Sequence, residues 1–236
     1  LIAATESASW GMDGTMQLRG RLSITAPMTF GTLFLSPILA RFALAHPELD
    51  LRIDYDDRTR DLIRDGFDLA IRIGEARDNA LIGRTLCTDE MIACASPGYL
   101  ARHGHPASPA DLTGHQVLSY SHVPDSHLWQ FGSDGKLAPA PVRSRLTLNN
   151  GEAMRDFALA GLGLAMLPGF IVTEPIATGE LVPVLPNKLT RKMPVLALWP
   201  PISPMPAKLR ALVDYLASEL AGGRPWPAAT NGGGAS

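Results

Sequence analysis

The residues of this chain whose types suit catalytic or metal chemistry are its six histidines, its two cysteines and a few glycine pairs, and their spacing serves neither chemistry. His103 and His105 cannot share one helical face, nor can His122 and His127, and no cysteine stands near either pair, so no metal site is expected. Cys94 sits among apolar residues that read as a strand. A buried, inert thiol explains it, with a redox pair to Cys87 as the alternative. Gly161-Leu162-Gly163 opens a dinucleotide fingerprint, but Met166 stands where the third glycine belongs, and a helix end followed by a tight turn accounts for both glycines. Gly135-Lys136 lacks the flanking residues of a phosphate loop. There is no Gly-x-Ser-x-Gly elbow and no His-Glu-x-x-His helix. The reading is a protein that is not an enzyme, with no catalytic residue, no metal and no cofactor.

Binding chemistry remains, and it gathers at turns. Ala26-Pro27-Met28-Thr29 follows a strand and opens a helix, and Asn149-Asn150-Gly151 does the same later in the chain. Helix starts carry backbone N–H groups without intrahelical partners and a positive dipole end, which suits an anionic or polar small molecule. Asn150 is also read as a plain N-cap. Asp56-Asp57-Arg58 forms a third such turn, or a solvated charge cluster. Arg72 ends a strand and can clamp a carboxylate, or pair with Asp68 or Glu75. Ser121, His122 and Trp129 can add polarity and stacking, with core packing as the other role for Trp129.

These turns need elements to position them. Leu22 and Ile24 alternate with Ser23 and Thr25 in a short strand. A helix follows to Ala45, stopped by His46-Pro47, with Pro37 in its first turns or at a kink. Leu49, Leu51, Ile53 and Tyr55 alternate with charged residues, predicting a half-buried strand. A helix over Thr59–Asp65 is stopped by Gly66, and Asp68–Ile73 reads as a third strand. This β-α-β-α-β order predicts a parallel, doubly wound sheet. Strands are then expected at Met91–Ser96, Val117–Tyr120, Leu128–Phe131, Arg145–Leu148, Leu164–Leu167 and Val195–Trp199, with Asp134-Gly135 as a hairpin turn. Helices are expected at Pro97–His103 and Glu152–Ala160. In a last helix Leu209, Leu212, Val213, Leu216 and Leu220 share one face. The fold class is α/β with two lobes: 20–88 and 193–221 form the first, 89–192 the second. Residues 1–19 precede them, 222–236 read as a flexible tail, and the two chain crossings imply a hinged cleft.

The 21 basic and 23 acidic residues leave a net charge of −2, which gives no electrostatic reason to bind nucleic acid. No apolar run is expected to reach the ~18 residues of a membrane span. The helix over Thr32–Ala45 is apolar on more than one face, since Leu33 and Leu44 lie away from Phe34, Ile38 and Phe42, and this predicts a second partner.

Several segments together resemble the effector-binding domain of LysR-type transcriptional regulators: Gly20–Pro27, Leu35–Phe42 with His46-Pro47, Ile63–Gly74, Ser96–Leu100 and Ala160–Pro168. The resemblance implies a type 2 periplasmic-binding-protein fold whose inter-lobe cleft takes a small-molecule effector. It also implies an N-terminal winged helix-turn-helix that reads promoter DNA, with 1–19 as the end of its linker. A cytoplasmic homodimer or homotetramer away from membranes follows. Carried over by position, effector contacts fall on Pro27, Met28, Thr29, Asp56, Asp57, Ser121, His122, Asn149 and Asn150. Arg72, Trp129, Pro168 and Phe170 complete the candidate set, and an organic acid is the expected effector. An extracytoplasmic solute-binding protein of a transporter is the alternative on the same fold.

Overall fold

The computed structural model describes residues 9–10, 16–58, 60–75, 80–133, 136–188, 190–221 and 226. Thr59, the Asp134-Gly135 turn, the segment Leu1–Ala8 and the tail other than Trp226 lie outside them. The described residues form two units. One runs to Thr88 and resumes from Pro194 to Ala221, and the other runs from Asp89 to Met193 and includes Trp226.

In unit 1 an antiparallel pair, Ser9–Trp10 with Met16–Gln17, precedes β1 (Gly20–Ala26), whose Leu22, Ile24 and Ala26 have no exposed surface. Helix α1 (Met28–Ala45) follows, with a π-helical stretch at Gly31–Leu35. Pro37 has no N–H to give, and the widened turn just ahead of it absorbs the mismatch. The same stretch brings β2 (Leu49–Tyr55) close: a Cβ on Gly31 would stand 2.4 Å from the Tyr55 ring, and Ser36 Oγ lies 2.7 Å from Tyr55 Oη. By length and a mean hydropathy of 1.5, α1 would suffice to cross a membrane, contrary to the expectation from sequence. One of its faces, carrying Phe30, Leu35, Ile38, Leu39 and Phe42, is buried in the core. Leu33 and Leu44 stay exposed on another.

After β2 the chain forms a single turn, α2 (Leu62–Asp65), shorter than the helix expected. Asp61 caps it by accepting from the Ile63 and Arg64 N–H groups, and Gly66 ends it at φ 74°. β3 (Leu69–Ile73) and β2 flank β1, both parallel to it. β2 is an edge strand, so Ile53 is exposed rather than covered. β4 (Ile82–Ala95) starts nine residues before the strand expected at Met91 and passes from unit 1 into unit 2 between Thr88 and Asp89.

In unit 2, α3 (Pro97–His103) and a 3-10 turn at Pro109–Gly114 lead to β5 (Gln116–Tyr120). A short helix α4 (Asp125–Leu128) replaces the start of the strand expected there, and β6 (Gln130–Ser133) pairs with β7 (Lys136–Pro139). β8 (Arg143–Leu148) runs parallel to β5 and feeds α5 (Gly151–Leu159). β9 (Ala165–Pro168) lies antiparallel to β4 and leads straight into α6 (Gly169–Ala177), a helix that sequence reading did not foresee. The short β10 (Val182–Pro183) also pairs with β4. Tyr99, Leu100, Leu112, Val117, Trp129, Phe131, Leu164 and Met166 pack into one core. Both cysteines are buried, and burial pushes the Cys94 thiol up to about 12, which suits the inert reading.

The chain returns through β11 (Lys192–Trp199), re-entering unit 1 at Pro194 and pairing antiparallel with β3. α7 (Ala207–Leu220) buries the predicted stripe and meets α1, with the Phe42 and Tyr215 rings 5.3 Å apart and Arg41 paired with Glu219.

Candidate functional site

In unit 1 the turns after β1 and β2 are bonded to each other. The Asp56 N–H donates to the Ala26 carbonyl at 2.9 Å, and the Met28 N–H donates to Asp57 Oδ1 at 2.9 Å. The start of α1 thus already has a carboxylate on one of its N–H groups, and Asp57 takes the place expected for a ligand's anion there. Asp56 accepts from the Arg58 side chain and backbone N–H and from Arg60, which hold its carboxyl well below the usual carboxylate range. Pro27 is half-buried, Met28 is exposed and Thr29 is buried.

Arg72 stands apart from this network. Its Nη1 donates to the Ile71 carbonyl at a long 3.3 Å, while its Nη2 is buried with no hydrogen-bond partner among the described residues. Burial lowers its pKa; the nearby charges of Asp56 and Asp57 act the other way, and Arg60 adds to the lowering. Asp68 does not pair with it, because Asp68 Oδ2 accepts the Ser23 N–H at 2.7 Å. The Thr25 hydroxyl of the same sheet is likewise buried without a partner. Among the described residues, two polar groups of unit 1 therefore keep hydrogen-bonding capacity that no neighbour uses.

In unit 2 the parallel pairing of Leu148 with Tyr120 sets two turns side by side at the carboxyl ends of β5 and β8. Ser121 and His122 occupy one turn, Asn149 and Asn150 the other, and the Ser121 N–H donates to the Leu148 carbonyl at 2.8 Å. Ser121, His122 and Asn149 are exposed. Asn150 caps α5, its Oδ1 accepting the Ala153 N–H at 2.9 Å. Just after the cap, a Cβ on Gly151 would stand 2.5 Å from Ile171, so the start of α5 lies against α6. Pro168 opens α6, and Phe170 is buried with its N–H on Asp89 Oδ2 at 3.1 Å.

Trp129 is not at these turns. It has no exposed surface and belongs to the core of unit 2, which is the packing role weighed against ligand stacking. Sequence reading missed Thr25, which looks like an ordinary strand residue, and Asp89, which stands two residues before the strand expected at Met91. An open pocket on unit 2, lined by Ser96, Arg102, Gly161 and Glu180, contains none of the predicted residues.

Residues 16–221 match the family model described as LysR substrate binding domain. The HTH-type transcriptional regulator DmlR of Escherichia coli is 35% identical over 199 residues, covering 84% of this chain and 64% of DmlR. An uncharacterized HTH-type transcriptional regulator of Haemophilus influenzae is 34% identical over 198 residues, covering 84% of this chain and 69% of the relative. The chain spans about two thirds of the length of such relatives. Among solved structures, the regulatory domain of CrgA from Neisseria meningitidis superposes with a TM-score of 0.73 at 31% identity, covering 86% of this chain and 99% of that domain.

Proposed function

We infer the chemistry of the ligand from an established premise: the chain belongs to the LysR substrate-binding domain family and is the effector-binding domain of a LysR-type transcriptional regulator. Its relatives are transcriptional regulators, and it shares with their regulatory domains the two-lobed periplasmic-binding-protein-like α/β fold. The effector is a small organic acid. The observation that carries this reading is Arg72, a guanidinium at the end of β3 whose Nη2 has no partner among the described residues, close enough to the turns after β1 and β2 to feel Asp56 and Asp57. A carboxylate is the group that best satisfies it, since charged hydrogen bonds of this kind are about twice as strong as neutral ones. On unit 1 the proposed effector contacts are Pro27, Met28 and Thr29. On unit 2 the proposed contacts are Ser121, His122, Asn149, Asn150, Pro168 and Phe170.

Calorimetric titration with a panel of mono- and dicarboxylic acids, each beside its neutral amide, tests the reading. At least one acid should bind, with its amide weaker by roughly tenfold or more, equivalent to ~1.4 kcal/mol. Amides that match their acids would exclude a carboxylate-specific site.

In the whole regulator, we assign promoter recognition to an N-terminal winged helix-turn-helix and effector sensing in the cytoplasm to this chain. Self-association uses the exposed apolar face of Leu33 and Leu44. Sedimentation velocity on this chain at micromolar concentration should show a dimer or larger species, and a monomer throughout would remove that assignment.

A further inference from the structure

The chain makes a third pass between its units, and one indole fastens it. α7 ends at Leu220 in unit 1, yet Trp226 belongs to unit 2. The Trp226 ring is 5% exposed and meets the Phe170 ring edge-on, with centroids 5.5 Å apart and planes at 63°. Its Nε1–H donates to Asp89 Oδ1 at 3.1 Å, while Asp89 Oδ2 accepts the Phe170 N–H at 3.1 Å. Asp89 is 1% exposed and is the first residue of unit 2 after the crossing within β4. A buried carboxylate needs N–H donors in place of water. Here one donor comes from α6 and another from the last pass of the chain. The fit is close, since a Cβ on Gly169 would stand 2.7 Å from Asp89 Oδ1.

We propose that Trp226 is a clasp: its docked indole ties the C-terminal pass to the crossing strand at Asp89 and restrains the strands that join the two units. Neither the effector reading nor family membership requires this. Six steps separate Leu220 from Trp226 in the sequence. At ~3.3–3.6 Å per residue, that stretch of chain spans no more than about 20 Å, so the docked indole tethers Asp89 to the end of α7. Undocking releases Asp89 from the tether and takes a donor from it.

Hydrogen exchange on the whole chain tests the clasp in three variants: Trp226→Ala, Trp226→Phe, and a Gly/Ser insertion of about ten residues after Ala221 that keeps Trp226. In Trp226→Ala, exchange at Thr88–Glu90 and at Met193 and Val195 should rise roughly fivefold or more, and the Phe170 amide should lose protection. Trp226→Phe keeps a ring but no N–H, and should fall between Trp226→Ala and the parent chain. The insertion should leave the Phe170 amide protected while speeding the crossing strands, because the indole stays docked and the tether is slack. Unchanged α7 amides report that unit 1 is folded. The clasp is overturned if Trp226→Ala changes none of these rates. It is equally overturned if the insertion leaves the crossing strands at the parent rate, which would make Trp226 a local plug. Should Trp226→Ala fail to fold, the insertion alone decides.

Discussion

Arg72→Met should cost most of the affinity for an acidic effector while leaving the melting temperature unchanged or raised. The two effects have one origin. The Arg72 Nη2 is buried without a partner among the described residues, and Nη1 makes one long bond to the Ile71 carbonyl. A buried donor left unsatisfied costs ~1–3 kcal/mol, so replacing the guanidinium with an apolar side chain of similar length removes a destabilising group. At ~2–4 °C per kcal/mol for a chain of this size, the melting temperature can rise by several degrees. Binding moves the other way. A hydrogen bond to a charged group is worth ~1.5–3 kcal/mol, so losing one weakens affinity by about tenfold to a hundredfold or slightly more. Arg72→Lys keeps the charge but loses the planar fork, and should fall between the two. Calorimetry and melting curves on the same samples measure both effects. A lowered melting temperature with intact acid affinity would make Arg72 a structural residue and remove the observation on which the acid reading rests.

How far the sequence reveals this molecule depends on how local each cause is. The β1 pattern and the α7 stripe are local periodicities, and both elements form with the predicted residues buried. Gly66 at φ 74° and the Asn150 cap are equally local, since each acts within one turn. The strand β4 is half hidden because Asp89 and Glu90 interrupt its apolar residues. Asp89 is accommodated in the strand with donors 81 and 137 positions away in sequence. α6 escaped notice for a different reason. Its Phe170, Ile171, Val172 and Thr173 are all buried and Pro175 lies inside it, so it shows neither an amphipathic period nor a clean propensity. The candidate site divides the same way. Its turns follow from strand ends and caps, whereas the unused polarity of Thr25 and Arg72 depends on which neighbours the sheet denies them.

Trp129→Ala should give a large stability loss. The indole has no exposed surface and sits in the unit 2 core with Phe131, its ring centroid 6.5 Å away. Emptying a buried tryptophan site costs ~3–5 kcal/mol, because transfer energy and the residual cavity add. At ~2–4 °C per kcal/mol the melting temperature should fall by roughly 6–20 °C. Trp129→Phe separates volume from polarity. It leaves a smaller void and also removes the indole Nε1–H, a buried donor with no partner among the described residues, so its loss should be well below that of the alanine variant. Acid affinity of the phenylalanine variant should match the parent chain, since a ring enclosed in the core touches no ligand. Thermal melts of both variants, with one titration of Trp129→Phe against the best acid of the panel, measure all three quantities. A Trp129→Ala protein that melts near the parent temperature but no longer binds the acid would return Trp129 to the effector site and take it out of the core.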